Sequence, residues 1–231
     1  MIKDFMVNNN GVNISYYKVN EASGGKPLVI IPGAINSAEE VMSAFSSSLP
    51  IYHIIISLRG RGKSDSPETH YSLDDQASDI QAVVHQEKLS EYFLFGHSFG
   101  SSIAIRAAVG DKAAVKGLIM GDFPPFYPPF DKSWASRILW QNDLHISKTA
   151  VEGLANSAKY IDLASDVNSL ECSLVALQAT KEDAVIRSED VEGLRRLCPN
   201  VLVKELPNTG HEMLIENPTV VAEILKEIVT Q

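Results

Sequence analysis

The chain has 231 residues and a net charge of -9 at neutral pH, long enough to bury one sizeable core and too acidic to hold nucleic acid or an anionic membrane surface by electrostatics. Its two cysteines, Cys172 and Cys198, are too few for a disulfide scaffold and lack metal-ligand spacing, so reduced, buried thiols and no metal site are expected. The first residues carry no basic region ahead of an apolar core, and no apolar run reaches the roughly 18 residues of a membrane span, so a soluble cytoplasmic protein is the default expectation.

In chain order, Phe5-Met6-Val7 and Val12 to Tyr17 flank Asn8-Asn9-Asn10-Gly11, and Asn-Gly between extended runs predicts an antiparallel hairpin. Pro27 to Gly33 is a continuous apolar run suited to a strand covered on both faces. A helix over 37–48, a buried strand over 51–57 and a helix over 73–88 follow. The last has apolar residues at helical spacing, with Asp74 and Asp75 at its positive end. Glu91 to Phe95 reads as a short strand that runs through Gly96-His97-Ser98-Phe99-Gly100 into a helix of small and apolar residues. Lys116 to Gly121 is the next strand.

From Asp122 the pattern changes. Phe123-Pro124-Pro125-Phe126-Tyr127-Pro128-Pro129-Phe130 is too rich in proline for a helix or a central strand. Helical pieces around 133–138 and 149–162 come next. Strands at 174–179 and 201–206 and a helix over 218–229, with proline near its start, close the chain. Strands alternating with helices after a hairpin predict a doubly wound, mostly parallel α/β sheet of about eight strands. Residues 1–121 and 167–231 form that core, and 122–166 are a small cap above the strands' carboxyl ends, where such sheets place ligands.

Gly-x-Ser-x-Gly between a strand and a helix is a nucleophile elbow, a tight turn that lifts the Ser98 hydroxyl above the sheet. A serine hydroxyl needs a base to take its proton, and the base needs an orienting acid. His211, just past the last strand, is the best-placed histidine, since it gives the chain order serine, acid, histidine. His53, His70, His85, His97 and His145 fall in a strand, in loops, on helix faces or inside the elbow. Asp183, after the 174–179 strand, is favoured as the acid; Asp122 competes for the role, with Glu182 behind it. The oxyanion requires two backbone N–H donors: Phe99, at the start of the helix, and Ala34, with Ile35 in reserve. Leu58 to Pro67 holds Gly62-Lys63-Ser64 without the rest of a phosphate-loop pattern, so it reads as a glycine turn pinned by arginine, with Arg59 or Arg61 as a less favoured contact for a substrate anion.

With elbow, oxyanion loop, arginine-glycine turn, late acid and late histidine in this order, the chain resembles the α/β-hydrolase superfamily over nearly its whole length outside the cap. Leu58 to Ser64 is similar to the L-R-G-x-G-x-S stretch of the cofactor-independent, single-domain branch, and Gly210-His211 with Glu216-Asn217-Pro218 to its G-H…E-x-P ending. The resemblance implies a triad of Ser98, His211 and Asp183 and no cofactor. The chain departs from that pattern in three places. Pro32-Gly33 stands for the usual His-Gly, Ser57 for the usual aspartate, and the cap is short. A serine at the elbow argues against the dehalogenase and epoxide-hydrolase branches, which place aspartate there. The expected function is hydrolysis of a small, largely apolar carboxylic ester, thioester or lactone. Phe123, Phe126, Tyr127, Phe130, Trp134 and Trp140 are candidates to line the pocket. A lyase or carbon–carbon bond hydrolase using the same triad is the alternative, and a non-catalytic ligand receptor on the same scaffold a second. The partner is a small-molecule substrate, not nucleic acid or membrane.

Overall fold

A computed structural model describes residues 2–142 and 144–230. The hairpin forms as β1 (Ile2–Asn9) and β2 (Val12–Val19). Asn10 and Gly11 both take positive φ, 51° and 91°, as a two-residue turn matched to strand twist requires. Then come β3 (Leu28–Ile31), α1 (Ala38–Phe45), β4 (His53–Ile56), α2 (Leu73–Gln86), β5 (Tyr92–His97), α3 (Phe99–Gly110) and β6 (Val115–Gly121). Between β6 and the next strand of this sheet lie β7 (Phe126–Tyr127), α4 (Lys132–Leu139), α5 (Lys148–Ser157), β8 (Ile161–Asp162) and α6 (Ala164–Asn168). The core resumes with β9 (Ser173–Ala179), α7 (Ser188–Leu197), β10 (Leu202–Leu206), α8 (Met213–Glu216) and α9 (Pro218–Thr230).

Eight strands make one sheet in the order β1-β2-β4-β3-β5-β6-β9-β10. It is antiparallel from β1 through β4 and parallel from there to β10. Because successive strand residues face opposite sides, the apolar runs feed two cores. Leu28, Ile30, Ile55, Phe93 and Phe95 pack with Val41 and Phe45 of α1 and Val221 and Leu225 of α9. Val29, Ile31, Ile54, Ile56 and Leu94 pack with Ile80 and Val83 of α2 and Ile103 of α3. Continuous Val/Ile/Leu runs suit strands buried on both faces. Ser72 caps α2 through a reciprocal pair with Asp75, a device that satisfies two free N–H groups at once.

Helix α5 stops at Ser157 and the chain pairs as β8 by Ile161, so the helical stretch expected to reach Asp162 is shorter. Helix α7 was not anticipated from sequence; it buries only Val191 and Leu194, too thin an apolar stripe to stand out against its charged residues. The segment between β6 and β9 is tied down by backbone bonds: Gly62 N–H donates to the His145 carbonyl at 2.9 Å and Ser147 N–H to that of Gly60 at 2.8 Å. Ser102 Oγ of α3 donates to the Phe126 carbonyl at 2.6 Å. Among the described residues no helix is long and apolar enough to cross a membrane.

Candidate active site

Ser98 joins β5 to α3 with φ 54° and ψ -130°, a backbone conformation unfavourable to any residue with a side chain. The turn persists because its surroundings over-determine it. Ser98 N–H donates to the Gly121 carbonyl at 2.8 Å, and Ser101 N–H returns to the Ser98 carbonyl at 2.8 Å. A methyl group on Gly96 would lie 2.3 Å from the Gly100 oxygen, and one on Gly100 would lie 2.3 Å from the Ile31 oxygen and 2.5 Å from that of Pro32. Both elbow glycines are therefore dictated by backbone-to-backbone approach, and Gly100 brings the end of β3 against the elbow.

His211 follows β10 in a loop held from four sides. The Thr209 carbonyl accepts from Thr180 and Lys181 N–H at 2.9 and 3.1 Å. Gly210 N–H donates to Glu216 Oε2 at 3.1 Å, and Asn217 Nδ2 to Thr209 Oγ1 at 3.0 Å. His97 Nε2 lies 2.8 Å from the His211 carbonyl; because a carbonyl only accepts, this nitrogen carries the proton. Burial lowers the pKa of His97, which keeps it neutral and suited to that single donation. So held, the His211 ring places Nε2 2.8 Å from Ser98 Oγ and Nδ1 2.8 Å from Asp122 Oδ2.

The acid on His211 is thus Asp122, and the preference for Asp183 is corrected. Asp122 is fully buried with φ 49°, directly past β6. Its Oδ2 also accepts Val185 N–H at 2.8 Å, and Oδ1 accepts Ala179 and Ile186 N–H at 3.3 and 3.2 Å. Three backbone donors, from the last residue of β9 and the stretch after it, aim the carboxylate at the imidazole. Asp183 is exposed and takes the backbone N–H of His211 at 3.2 Å instead. It shapes the loop and makes no hydrogen bond to the ring. Glu182 is likewise exposed, and the two ring nitrogens meet Ser98 and Asp122 instead.

Residues 33–36 make a turn closed by Asn36 N–H on the Gly33 carbonyl at 3.4 Å. Such a closure leaves the N–H groups of its two central residues, Ala34 and Ile35, outside the turn's own hydrogen bond. Phe99 N–H opens α3, where the first N–H groups have no partner within the helix. A methyl group on Gly33 would stand 3.6 Å from Ser98 Cβ, so the turn and the elbow are immediate neighbours.

The aromatic candidates divide. Phe130 and Tyr127 lie 5.1 and 5.3 Å from the Phe99 ring, and Trp134 lies 4.2 Å from Phe130. Tyr127 is buried and its hydroxyl donates to the Tyr71 carbonyl at 3.0 Å. Phe123 meets Phe126 at a tilt in a second group, and Phe126 stacks on Tyr160. Trp140, expected from sequence to line the pocket, is instead 88% exposed and faces solvent.

In the arginine-glycine turn, Arg59 is bidentate to Asp79 at 2.7 Å on both oxygens, and also donates to the carbonyls of His70 and Asp75. That pairing consumes it structurally. Ser57 replaces a carboxylate without leaving a gap, because the Glu39 carboxylate comes from α1, accepts from Ser57 Oγ at 3.2 Å and fills the space beside Gly62. Among the described residues no group of three or more His, Cys, Asp or Glu is placed to hold a metal.

A mostly parallel sheet that carries an elbow serine in line with a histidine and a buried acid belongs to the α/β-hydrolase class. A model of the alpha/beta hydrolase family matches residues 28–224, and the chain belongs to that family. It is 32% identical over 140 residues to an N-formylmaleamate deformylase of Pseudomonas putida, the match covering 59% of this chain and 51% of that protein. It is 30% identical over 105 residues to a 2-(acetamidomethylene)succinate hydrolase of Mesorhizobium japonicum, covering 45% of this chain and 38% of that one. The matches thus span about half or less of these curated relatives. The solved N-formylmaleamic acid deformylase of Pseudomonas putida S16 superposes with a TM-score of 0.80 at 22% identity, over 97% of this chain and all of the other. At that identity the likeness speaks to the fold.

Proposed function

We propose that the protein is a serine acyl hydrolase with Ser98 as nucleophile, His211 as base and Asp122 as the orienting acid. The observation that carries this reading is the unbroken line from Ser98 Oγ to His211 Nε2 and from Nδ1 to Asp122 Oδ2, both links 2.8 Å. His211 takes the hydroxyl proton as Ser98 Oγ attacks the acyl carbon, and the Ala34 and Phe99 N–H groups stabilise the oxyanion. The imidazolium, held by Asp122, returns its proton to the leaving group. Water, deprotonated by the same imidazole, then releases the acyl group. The segment between β6 and β9 acts as the cap, with Phe130 and Trp134 beside Phe99 on the acyl side.

A small ester is the first substrate class, because an alkoxide leaves more readily than an amide nitrogen and the ring cluster around Phe99 is apolar. A carboxamide is the second reading, supported by the relatives that a deformylase and an acetamidomethylene hydrolase provide. The test is turnover of short-chain nitrophenyl esters and of a small N-formyl amide, beside Ser98→Ala. Wild-type turnover that falls by about three orders of magnitude or more in the variant is expected. Undiminished turnover in Ser98→Ala overturns the reading, and Ser98 labelled by a fluorophosphonate without turnover on either panel moves the protein to the receptor class.

A further inference from the structure

The second arginine of the turn has no structural partner comparable to Arg59's. Arg61 is fully buried, and among the described residues its guanidinium makes no pairing with a carboxylate. Nε donates to the Ala34 carbonyl at 2.9 Å. Nη1 donates to the Arg59 carbonyl at 2.7 Å and to Gln76 Oε1 at 3.3 Å. Nη2 finds no acceptor among the described residues. The guanidinium carbon lies 6.0 Å from the centre of the Phe99 ring. Burial pulls its pKa down to about 10, which leaves it charged at neutral pH.

An isolated buried charge costs several kcal/mol, so its placement calls for a reason. Nη2 is sealed from solvent, with no room beside it for a substrate anion, and this argues against the binding role that the sequence left open. What the guanidinium does touch is specific: the residues on either side of the elbow that carry the proposed oxyanion donors, Ala34 by a hydrogen bond and Phe99 through its ring. The Ala34 carbonyl is fixed at the Ala34–Ile35 peptide, so a donor on that oxygen sets the rotation of the turn's central peptide. That fixes where the Ile35 N–H points; the Ala34 N–H lies on the preceding peptide, whose Gly33 carbonyl is held by Asn36 N–H, so Arg61 reaches it through the turn as a whole. The turn has only one weak internal bond of its own, at 3.4 Å. His145 and Ser147, from the segment between β6 and β9, close over the other side of residues 60–62 by backbone hydrogen bonds.

We propose that Arg61 is a positioning residue for the oxyanion hole: its fork locks the 33–36 turn against the elbow so that the turn's N–H groups face the developing charge. The inference rests on the serine-hydrolase reading above. Interactions made only as the oxyanion develops alter kcat rather than ground-state binding.

The test compares Arg61→Met, similar in length but uncharged, with Arg61→Lys, which keeps the charge but not the fork. Each is assayed on a neutral nitrophenyl ester and for affinity towards a trifluoromethyl ketone, which forms an oxyanion on Ser98. A kcat lower by roughly ten- to a hundredfold, KM within about threefold, and ketone affinity weakened in parallel are expected for Arg61→Met; Arg61→Lys falls between. Amide hydrogen exchange at Asn36, whose N–H closes the turn on the Gly33 carbonyl, should quicken in Arg61→Met whatever the turnover. If Arg61→Met does not fold, a wild-type kcat in Arg61→Lys overturns the proposal. So does an unchanged kcat in a folded Arg61→Met, or a loss confined to KM on an acidic ester. A wild type without Ser98-dependent turnover sinks the hydrolase reading, while exchange at Asn36 still reports whether Arg61 holds the turn.

Discussion

Replacing Asp122 by asparagine separates the two acids and has an outcome that the hydrogen bonds dictate. The carboxylate receives four donors, two on each oxygen. An amide keeps one acceptor and brings two hydrogens. With the NH₂ at the Oδ1 position it would confront the Ala179 and Ile186 N–H groups, neither of which can turn away. With the NH₂ at the Oδ2 position it confronts only Val185 N–H, because His211 can switch tautomer and accept at Nδ1. The second orientation leaves one buried N–H unpaired rather than two, and each costs about 1–3 kcal/mol. The preferred orientation is therefore the one that puts the proton on His211 Nε2, where it cannot take the proton of Ser98. The expected result is a kcat lower by about 10⁴, near 5 kcal/mol of transition-state stabilisation, with a Tm lower by only about 2–12 °C. Asp183→Asn retains an oxygen to accept the His211 backbone N–H, and its kcat should stay within about tenfold of wild type. Steady-state kinetics on a short-chain ester with thermal unfolding of the same preparations checks both. A larger catalytic loss in Asp183→Asn than in Asp122→Asn would refute the assignment.

Other expectations follow from the same contacts. Gly100→Ala drives a methyl group into the Ile31 and Pro32 oxygens and should lower stability by more than about 3 kcal/mol or abolish soluble expression. Gly193→Ala, where only the flexible end of Arg196 lies within 4 Å, should raise it by about 0.5–1 kcal/mol in urea unfolding. Ser57→Asp, which restores the residue usual in related turns, should destabilise this chain by placing a second carboxylate against Glu39; Glu39→Gln in the same chain should restore the unfolding midpoint, and a stable single variant counts against the account. Burial lowers the pKa of His53, and its Nε2 meets Ser46 Oγ at 3.1 Å. Above pH of about 6.5 it is neutral folded and unfolded; as pH falls through that value the unfolded chain binds a proton that the folded chain resists, so stability declines on acidification. Urea midpoints at pH 7.5 and 5.5 should differ less in His53→Gln than in wild type.

Ser98 and His211 were legible because their signals are local. Gly96 is forced by contact with Gly100 within the elbow itself, the Gly-x-Ser-x-Gly spacing is contiguous, and the loop that carries His211 is built by Thr209, Gly210, Glu216 and Asn217, all within a few residues of it. The strand runs were equally plain, since burial on both faces demands uninterrupted apolar residues. Asp122 was not legible in this way. Both acids precede His211 and both follow a strand, and nothing in either neighbourhood ranks them. The choice depends on a positive φ at Asp122 and on N–H groups of Ala179, Val185 and Ile186, more than fifty residues away in the chain. Asp183, arriving in that same stretch, is left facing the back of the histidine loop. Trp140 and Arg61 show the same divide from opposite sides. An aromatic residue suited to a pocket is turned to solvent, and a charged residue in a glycine turn is sealed beneath one. The chain by itself determined which serine sits in the elbow and which histidine meets it, because those residues are carried by recognisable turns. Which carboxylate meets the histidine ring, and the arginine proposed to hold the oxyanion turn, were decided only when distant backbone N–H and carbonyl groups came together, since hydrogen-bond direction is a property of the assembled sheet and its loops.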